Sequence, residues 1–179
     1  MKFKNLLVLT LAAALSVAAA WAQDDDDAIY AVDLIKAGEK APAFKVKDLS
    51  GKVRTLKDFK GKYLVLDFWA TWCPDCRKDM PAMKALYEQS LKSKKKIVFV
   101  GVSADTDKGV LEAYLRDNEI AWTQLYEGVK RKDSVISADY HVKWIPSVYV
   151  IGPDGKVILS TVMIDKVEAC LKEISSSDI

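Results

Sequence analysis

Cys73 and Cys76, two of the three cysteines in the 179-residue chain, are separated only by Pro74-Asp75. Two thiols at this spacing have a physical reason to act as a redox pair where a buried strand turns into a helix. The first thiol then falls at the helix N-terminus, whose unpaired amides and dipole stabilise a thiolate. The second lies one turn along, close enough to attack a mixed disulfide formed by the first. Pro74 suits the first helical turn, where its missing N–H is not needed, whereas the acid Asp75 opposes thiolate formation beside it. Other chemistries fit less well. A zinc site would need two further ligands, and Cys170 and His141 lie far from the pair and from each other in sequence, so no metal is expected. A purely structural disulfide closing so short a loop would restrict the unfolded chain little.

Asp67 stands six residues before Cys73, inside the apolar run Tyr63-Leu64-Val65-Leu66-Asp67-Phe68-Trp69. A carboxylate in such a run is costly unless it has a purpose or a partner, and an ion pair with Lys62 is the plain alternative to a chemical role. Trp69 is expected in the core and Trp72 as a partly exposed wall beside Cys73. His141 is expected to cap a helix end rather than to act as a base. Cys170, among Val167, Ala169, Leu171 and Ile174, reads as a small buried hydrophobe, with intermolecular pairing as the alternative.

The elements around the pair follow from hydrophobic patterning. Phe44 to Asp48 and Lys52 to Leu56 flank Ser50-Gly51 and predict a hairpin. The run from Tyr63 to Trp69 predicts a strand covered on both faces, and Ile97 to Val102 a second. A helix is expected from Cys73 or Pro74 to about Leu91, kinked at Pro81, with Met80, Met83, Leu86, Tyr87 and Leu91 on its buried side. Asp107 to Asn118 predicts an amphipathic helix, Ala121 to Tyr126 a short strand, and Asp133 to Tyr140 a short helix capped by Asp133. Ser147 to Ile151 and Lys156 to Ser160, joined by Gly152-Pro153-Asp154-Gly155, predict an antiparallel hairpin. A last helix is expected from Ile164 to Ser175. Alternating strands and helices imply parallel pairing in part of one mixed sheet.

The first 22 residues have a different chemistry. Lys2 and Lys4 precede an uncharged stretch from Asn5 to Ala22 that closes on Ala20-Trp21-Ala22, the pattern of a cleaved signal peptide. Uncleaved, its apolar length would sit at the short limit of a membrane anchor. Either way the remainder is expected to be exported, into the periplasm in a Gram-negative cell. Residues 23–37 read as an acidic, solvated tail and 38–179 as one domain. Overall the chain is 50% hydrophobic and 29% charged, with a net charge of +2. Without Lys2 and Lys4 its basic and acidic residues balance at 25 each, which argues against a nucleic-acid partner.

From Ala41 onward the chain resembles the thioredoxin fold, and more closely the exported TlpA/ResA-like thiol-disulfide oxidoreductases. The matching segments are Gly38-Glu39-Lys40-Ala41-Pro42-Ala43-Phe44, the hairpin with Gly61-Lys62, Phe68-Trp69-Ala70-Thr71-Trp72-Cys73, and Ile145-Pro146-Ser147. The resemblance implies an α/β thioredoxin fold: a central mixed β-sheet flanked by helices on both faces, an N-terminal β-hairpin, and a strand-helix insertion between Ser103 and Lys130. It implies Cys73 as attacking thiolate, Cys76 as resolving thiol, and a redox disulfide between them. It implies a cis Ile145–Pro146 bond facing the pair, so that Trp72, Pro74, Ile145 and Pro146 would contact substrate. An aspartate at the position of Asp67 lies beneath the pair in thioredoxins and exchanges protons with the resolving thiol, whereas many TlpA/ResA-like proteins carry another residue there. Asp67 is therefore expected to have a raised pKa and to accept the proton of Cys76.

The expected activity is dithiol-disulfide exchange with disulfide-bonded protein substrates, in the reducing direction. It needs no cofactor but does need a membrane or exported thiol reductant. Two rivals are weighed. A peroxiredoxin-like thiol peroxidase would carry threonine three residues before its reactive cysteine, where this chain has Ala70. A non-catalytic thioredoxin-fold binding module would use the groove with its cysteines idle.

Overall fold

A computed structural model describes residues 26–177; the expected signal segment lies outside them. Among the described residues no helix is long and apolar enough to cross a membrane. The strands are β1 (Lys45–Lys47), β2 (Val53–Thr55), β3 (Tyr63–Trp69), β4 (Ile97–Ser103), β5 (Thr123–Tyr126), β6 (Ser147–Ile151) and β7 (Val157–Thr161). The helices are α1 (Asp26–Tyr30), α2 (Pro74–Lys92), α3 (Lys108–Asp117), α4 (Val135–Asp139) and α5 (Ile164–Ser176).

The main sheet has the order β5-β4-β3-β6-β7. β3 runs parallel to β4 and β4 to β5, while β6 is antiparallel to both β3 and β7. β3, at the centre, is covered on both faces, as its unbroken apolar run requires. Leu64, Leu66 and Phe68 face a cluster with Phe44, Tyr140 and Tyr149. Val65 and Trp69 face the opposite cluster with Met80, Met83, Leu111 and Val167, from α2, α3 and α5. Alternation along the strand puts Asp67 on this second face. α4 and the small β1-β2 sheet cover the first face. Gly51 (φ 85°) and Gly155 (φ 82°) occupy the left-handed turn positions of the two hairpins, where a side chain would be strained. This is the thioredoxin architecture, with α3 and β5 as the inserted helix and strand.

Three local expectations change, and the helix-end place of His141 holds. α2 continues through Pro81 as one element, but its buried face is Cys76, Met80, Met83, Leu86 and Ser90, and Leu91 is exposed. A stripe begun at Cys76 and advanced by 3.6 residues per turn reaches position 90, not 91. α4 is capped by Ser134, whose side chain accepts from Ser137 N; Asp133 belongs to the preceding 3-10 turn, Arg131–Asp133. His141 follows α4 in the left-handed region (φ 55°), donating its backbone N–H to Ala138 O. Finally, the end of the acidic run is no solvated tail. Asp27 accepts from Thr161 Oγ1, Val162 N and Lys166 Nζ at 2.7–2.8 Å, and Ala31, Leu34 and Ile35 are buried in the core. Helix α1 and the turn after it thus pack against the domain.

Candidate active site

The site forms where the C-terminal end of β3 meets the N-terminus of α2. The crossing loop 70–73 is tied down by Asp105, buried just past β4. Its carboxylate accepts from Thr71 N at 3.1 Å, Thr71 Oγ1 at 2.6 Å and Ser103 Oγ at 2.8 Å. Behind the loop, Trp69 Nε1 donates to Gln124 Oε1 on β5 at 2.9 Å. These buried, paired polar groups fix the strand end from which the first cysteine projects.

Cys73 is the N-cap residue of α2, with Pro74 at its first helical position. Its sulfur accepts the Cys76 backbone N–H at 3.2 Å and lies 3.6 Å from the Ile145 carbonyl. A sulfur held on a free helix amide is where a thiolate's charge is best accommodated. Both thiols are free and buried. The Ile145–Pro146 bond is cis. Trp72 is 60% exposed, Pro74 and Asp75 are exposed, and Ile145 and Pro146 are half-buried, so an apolar, open margin surrounds a recessed sulfur. Cys76 lies deeper. Burial pushes its thiol well above the ordinary value, and the neighbouring Cys73 sulfur and Asp67 push it the same way.

Asp67 lies beside that thiol. Register sets it between Gly101 on β4 and Val148 on β6. It shares with Cys76, Asp79, Met80 and Met83 a crevice of about 10 Å³, the room of roughly one water. Burial raises its carboxyl from 3.8 to about 7, and the charge of Asp79 adds to the rise. Lys62, its expected ion-pair alternative, instead points its Nζ at Asp58 O. Asp79, unnoticed in the sequence, stands one turn beyond Cys76 on α2. A second acid at this i,i+3 spacing, on the helix face that carries Cys76, was the local sign. Asp79 also lines the larger hollow beyond Pro146, Val162 and Ile164, so the crevice and that hollow share a wall. Cys170 is half-buried in α5, its thiol pushed up to about 11 by burial and by Glu173. Neither it nor exposed His141 is brought to the pair, and no cluster of three or more metal-ligating side chains occurs among the described residues.

A recessed dithiol at a helix N-terminus, facing a cis proline in this sheet, defines a thioredoxin-like redox protein. The sequence profile of the AhpC/TSA family matches residues 37–160, and the chain belongs to that family. Within it, the chain is 29% identical to the thiol-disulfide oxidoreductase ResA of Oceanobacillus iheyensis, over 97% of this chain and 88% of that protein. It is 35% identical to ResA of Bacillus thuringiensis, over 69% and 68% respectively. The thioredoxin domain of a thiol-disulfide oxidoreductase from Bacteroides vulgatus superposes with a TM-score of 0.69 at 25% identity, covering 79% of this chain and 99% of that one. The chain is a ResA-like thiol-disulfide oxidoreductase carrying a Cys-x-x-Cys pair.

Proposed function

We propose that the protein is an exported reductase of protein disulfides, with Cys73 as nucleophile, Cys76 as resolving thiol and Asp67 as its base. The observation that carries this reading is the Cys73 sulfur held between the Cys76 amide and the Ile145 carbonyl. In the first step the Cys73 thiolate attacks one sulfur of a substrate disulfide. A mixed disulfide forms, and the other substrate sulfur leaves as a thiolate that takes a proton from water. Cys76 then gives its proton to the Asp67 carboxylate and attacks the Cys73 sulfur. The second substrate sulfur leaves as a thiol, its proton drawn from solvent, and the enzyme retains the Cys73–Cys76 disulfide. Two electrons have passed to the substrate, and an external dithiol must restore them. Trp72, Pro74, Ile145 and Pro146 form the margin on which the substrate segment rests.

Export is supported by the basic, then apolar, N-terminal residues ending Ala20-Trp21-Ala22. The reducing direction is supported by the Pro74-Asp75 dipeptide between the cysteines, which carries an acid and no basic residue.

Trapping with Cys76→Ser tests the whole reading. In cells, this variant should accumulate mixed disulfides on Cys73 with exported proteins, whereas Cys73→Ser should accumulate none. Equal capture by both variants would refute the assigned order of the thiols. A reduction potential near about −120 mV, the strong-oxidant value, would refute the direction.

A further inference from the structure

If the protein reduces substrate disulfides as proposed, the surfaces on either side of Cys73 decide which ones. We propose that it selects disulfides carried on dipolar segments, with basic residues on one side of the reactive cysteine and acidic residues on the other, because hollows of opposite charge flank Cys73.

The sheet order places the hollows. β3 delivers the reactive loop, and the C-terminal ends of β4 and β5 lie on one side of it. The start of β6 and the end of β7 lie on the other, since β6 is antiparallel to both β3 and β7. On the β6-β7 side a hollow of about 430 Å³ opens beside Pro146. Its wall carries Asp26, Asp75, Asp79 and Asp165, with Lys78 as the lone opposing charge among the described residues. None of these four carboxylates belongs to an ion pair among the described residues. Burial, Asp75 and Asp165 all push the Asp79 carboxyl up against the opposing pull of Lys78, as expected where acids outnumber the cation facing them.

On the β4-β5 side a hollow of about 310 Å³ opens against the exposed face of Trp72. Lys130, Arg131 and Lys132 line it, with Ala104 and Thr106, and among the described residues no carboxylate does. Acids near it in sequence are otherwise engaged. Asp105 is turned inward to Thr71 and Ser103, and Asp107 caps α3 through Val110 N. Asp133 follows the three bases but does not line the hollow. Trp72 and Trp144, 60% and 54% exposed, give each hollow an aromatic wall. A segment laid across Cys73 must pass from one hollow to the other. Its charges therefore meet carboxylates on one side and cations on the other. Exposed charges of this kind act through encounter rate and orientation more than through final affinity.

The test uses the reduced, full-length protein and five peptides, each with one central cysteine as a mixed disulfide with 2-mercaptoethanol. Two peptides are dipolar, with two lysines before and two glutamates after the cysteine, or the reverse. The others are all-lysine, all-glutamate and uncharged. The second-order rate of exchange is measured in low salt and in 1 M salt. One dipolar peptide should exceed its reversed partner by about tenfold in low salt, from a few exposed pairs each worth a few-fold. The ratio should fall towards one in high salt, where screening is nearly complete. Reversing both hollows with Asp26→Lys, Asp165→Lys, Lys130→Glu and Lys132→Glu should invert the ratio. The two double variants, one per hollow, should shrink it and serve if the quadruple variant fails to fold. Because the readout is a ratio within one protein, a general loss of activity does not imitate it. Equal rates for the two dipolar peptides, or rates ordered by total peptide charge, overturn the inference. No reaction with the uncharged peptide instead overturns the reductase reading beneath it.

Discussion

Replacing Asp67 with asparagine should remove a pH dependence of stability that belongs to one carboxyl. The folded protein holds this proton more tightly than the unfolded chain, because burial and Asp79 raise the carboxyl from 3.8 to about 7. The stability it contributes is therefore complete below pH 3.8 and lost as the pH climbs through 7. The full loss is about 4 kcal/mol, since each tenfold difference in proton affinity between folded and unfolded chain is worth roughly 1.4 kcal/mol. Between pH 5 and pH 9 the carboxyl passes from protonated to ionised in the folded state while it is already ionised in the unfolded one, so about 3 kcal/mol should disappear. Asparagine is close in shape to the neutral acid and does not titrate. Urea unfolding at pH 5, 7 and 9, with and without Asp67→Asn, reads the difference directly. Both proteins should carry Cys73→Ser and Cys76→Ser so that no active-site thiol titrates. The advantage of the asparagine protein over its parent should grow by about 3 kcal/mol between pH 5 and pH 9. Parallel profiles would show that Asp67 ionises freely and would end its candidacy as a base. With the thiols restored, the same substitution should slow resolution of the mixed disulfide by roughly 100-fold near neutral pH, the lower end of general-base effects.

Four shorter predictions test the scaffold. Asp105→Ala removes the acceptor of Thr71 N, Thr71 Oγ1 and Ser103 Oγ; it should lower unfolding free energy by roughly 2–4 kcal/mol and slow thiol exchange through a loosened 70–73 loop. For Asp48, burial pushes the carboxyl up, but hydrogen bonds from Ser50, Arg54 and Lys52 N and the Arg54 charge outweigh it, lowering it from 3.8 to about 2. Its contribution, about 2 kcal/mol, is present above pH 3.8 and lost as the pH falls through 2, so Asp48→Asn should cost about that much at pH 7 and little at pH 2 in urea titrations. Asp27→Ala should cost roughly 1–3 kcal/mol and speed proteolysis within residues 26–37, since Asp27 ties that segment to Thr161, Val162 and Lys166. At Gly101 an added Cβ would stand 2.0 Å from Gln124 Oε1, so Gly101→Ala should displace Gln124 from Trp69, change tryptophan fluorescence and destabilise by roughly 1–3 kcal/mol.

Features whose cause is local can be read from the residues. The apolar run from Tyr63 to Trp69 predicts β3 with the ends it has, because a run bounded by Gly61-Lys62 and the Ala70-Thr71 turn leaves few other boundaries. The start of α2 is legible because Pro74 tolerates only the first helical turn there. The cysteine pair and the cost of burying Asp67 are legible for the same reason, since both follow from neighbours within ten residues. Between Asp133 and Ser134 as cap of α4, local chemistry does not choose, because both side chains can accept at an N-cap. Glu127, reaching Ser134 Oγ and Val135 N from the end of β5, settles it. The acidic run misleads more seriously. Four consecutive aspartates signal solvent, yet Asp27 bonds to Thr161, 134 positions away. Ala31, Leu34 and Ile35, spaced by three and one, are the faint local sign of a buried helical turn.

The same division explains why substrate preference cannot be read before the fold. The reactive residues are contiguous, but the charges around them come from four places: the N-terminal segment, the first two turns of α2, the turn before α4 and the start of α5. In the sequence these charges cancel, and a nearly neutral chain argues against any electrostatic selection. Parallel β3 and β4 and antiparallel β6 bring all four to one edge of the sheet, acids on one side of Cys73 and bases on the other. Net charge is conserved in that step, while charge separation is created by it, and separation is what an oriented partner responds to. The helix α1 shares in this, since Asp27 fixes the segment that sets Asp26 and Tyr30 in the acidic wall, and Tyr30 meets Trp144 edge-on at 5.3 Å. A residue run that reads as a spacer in the sequence thus becomes, through one half-buried carboxylate, part of the proposed docking surface.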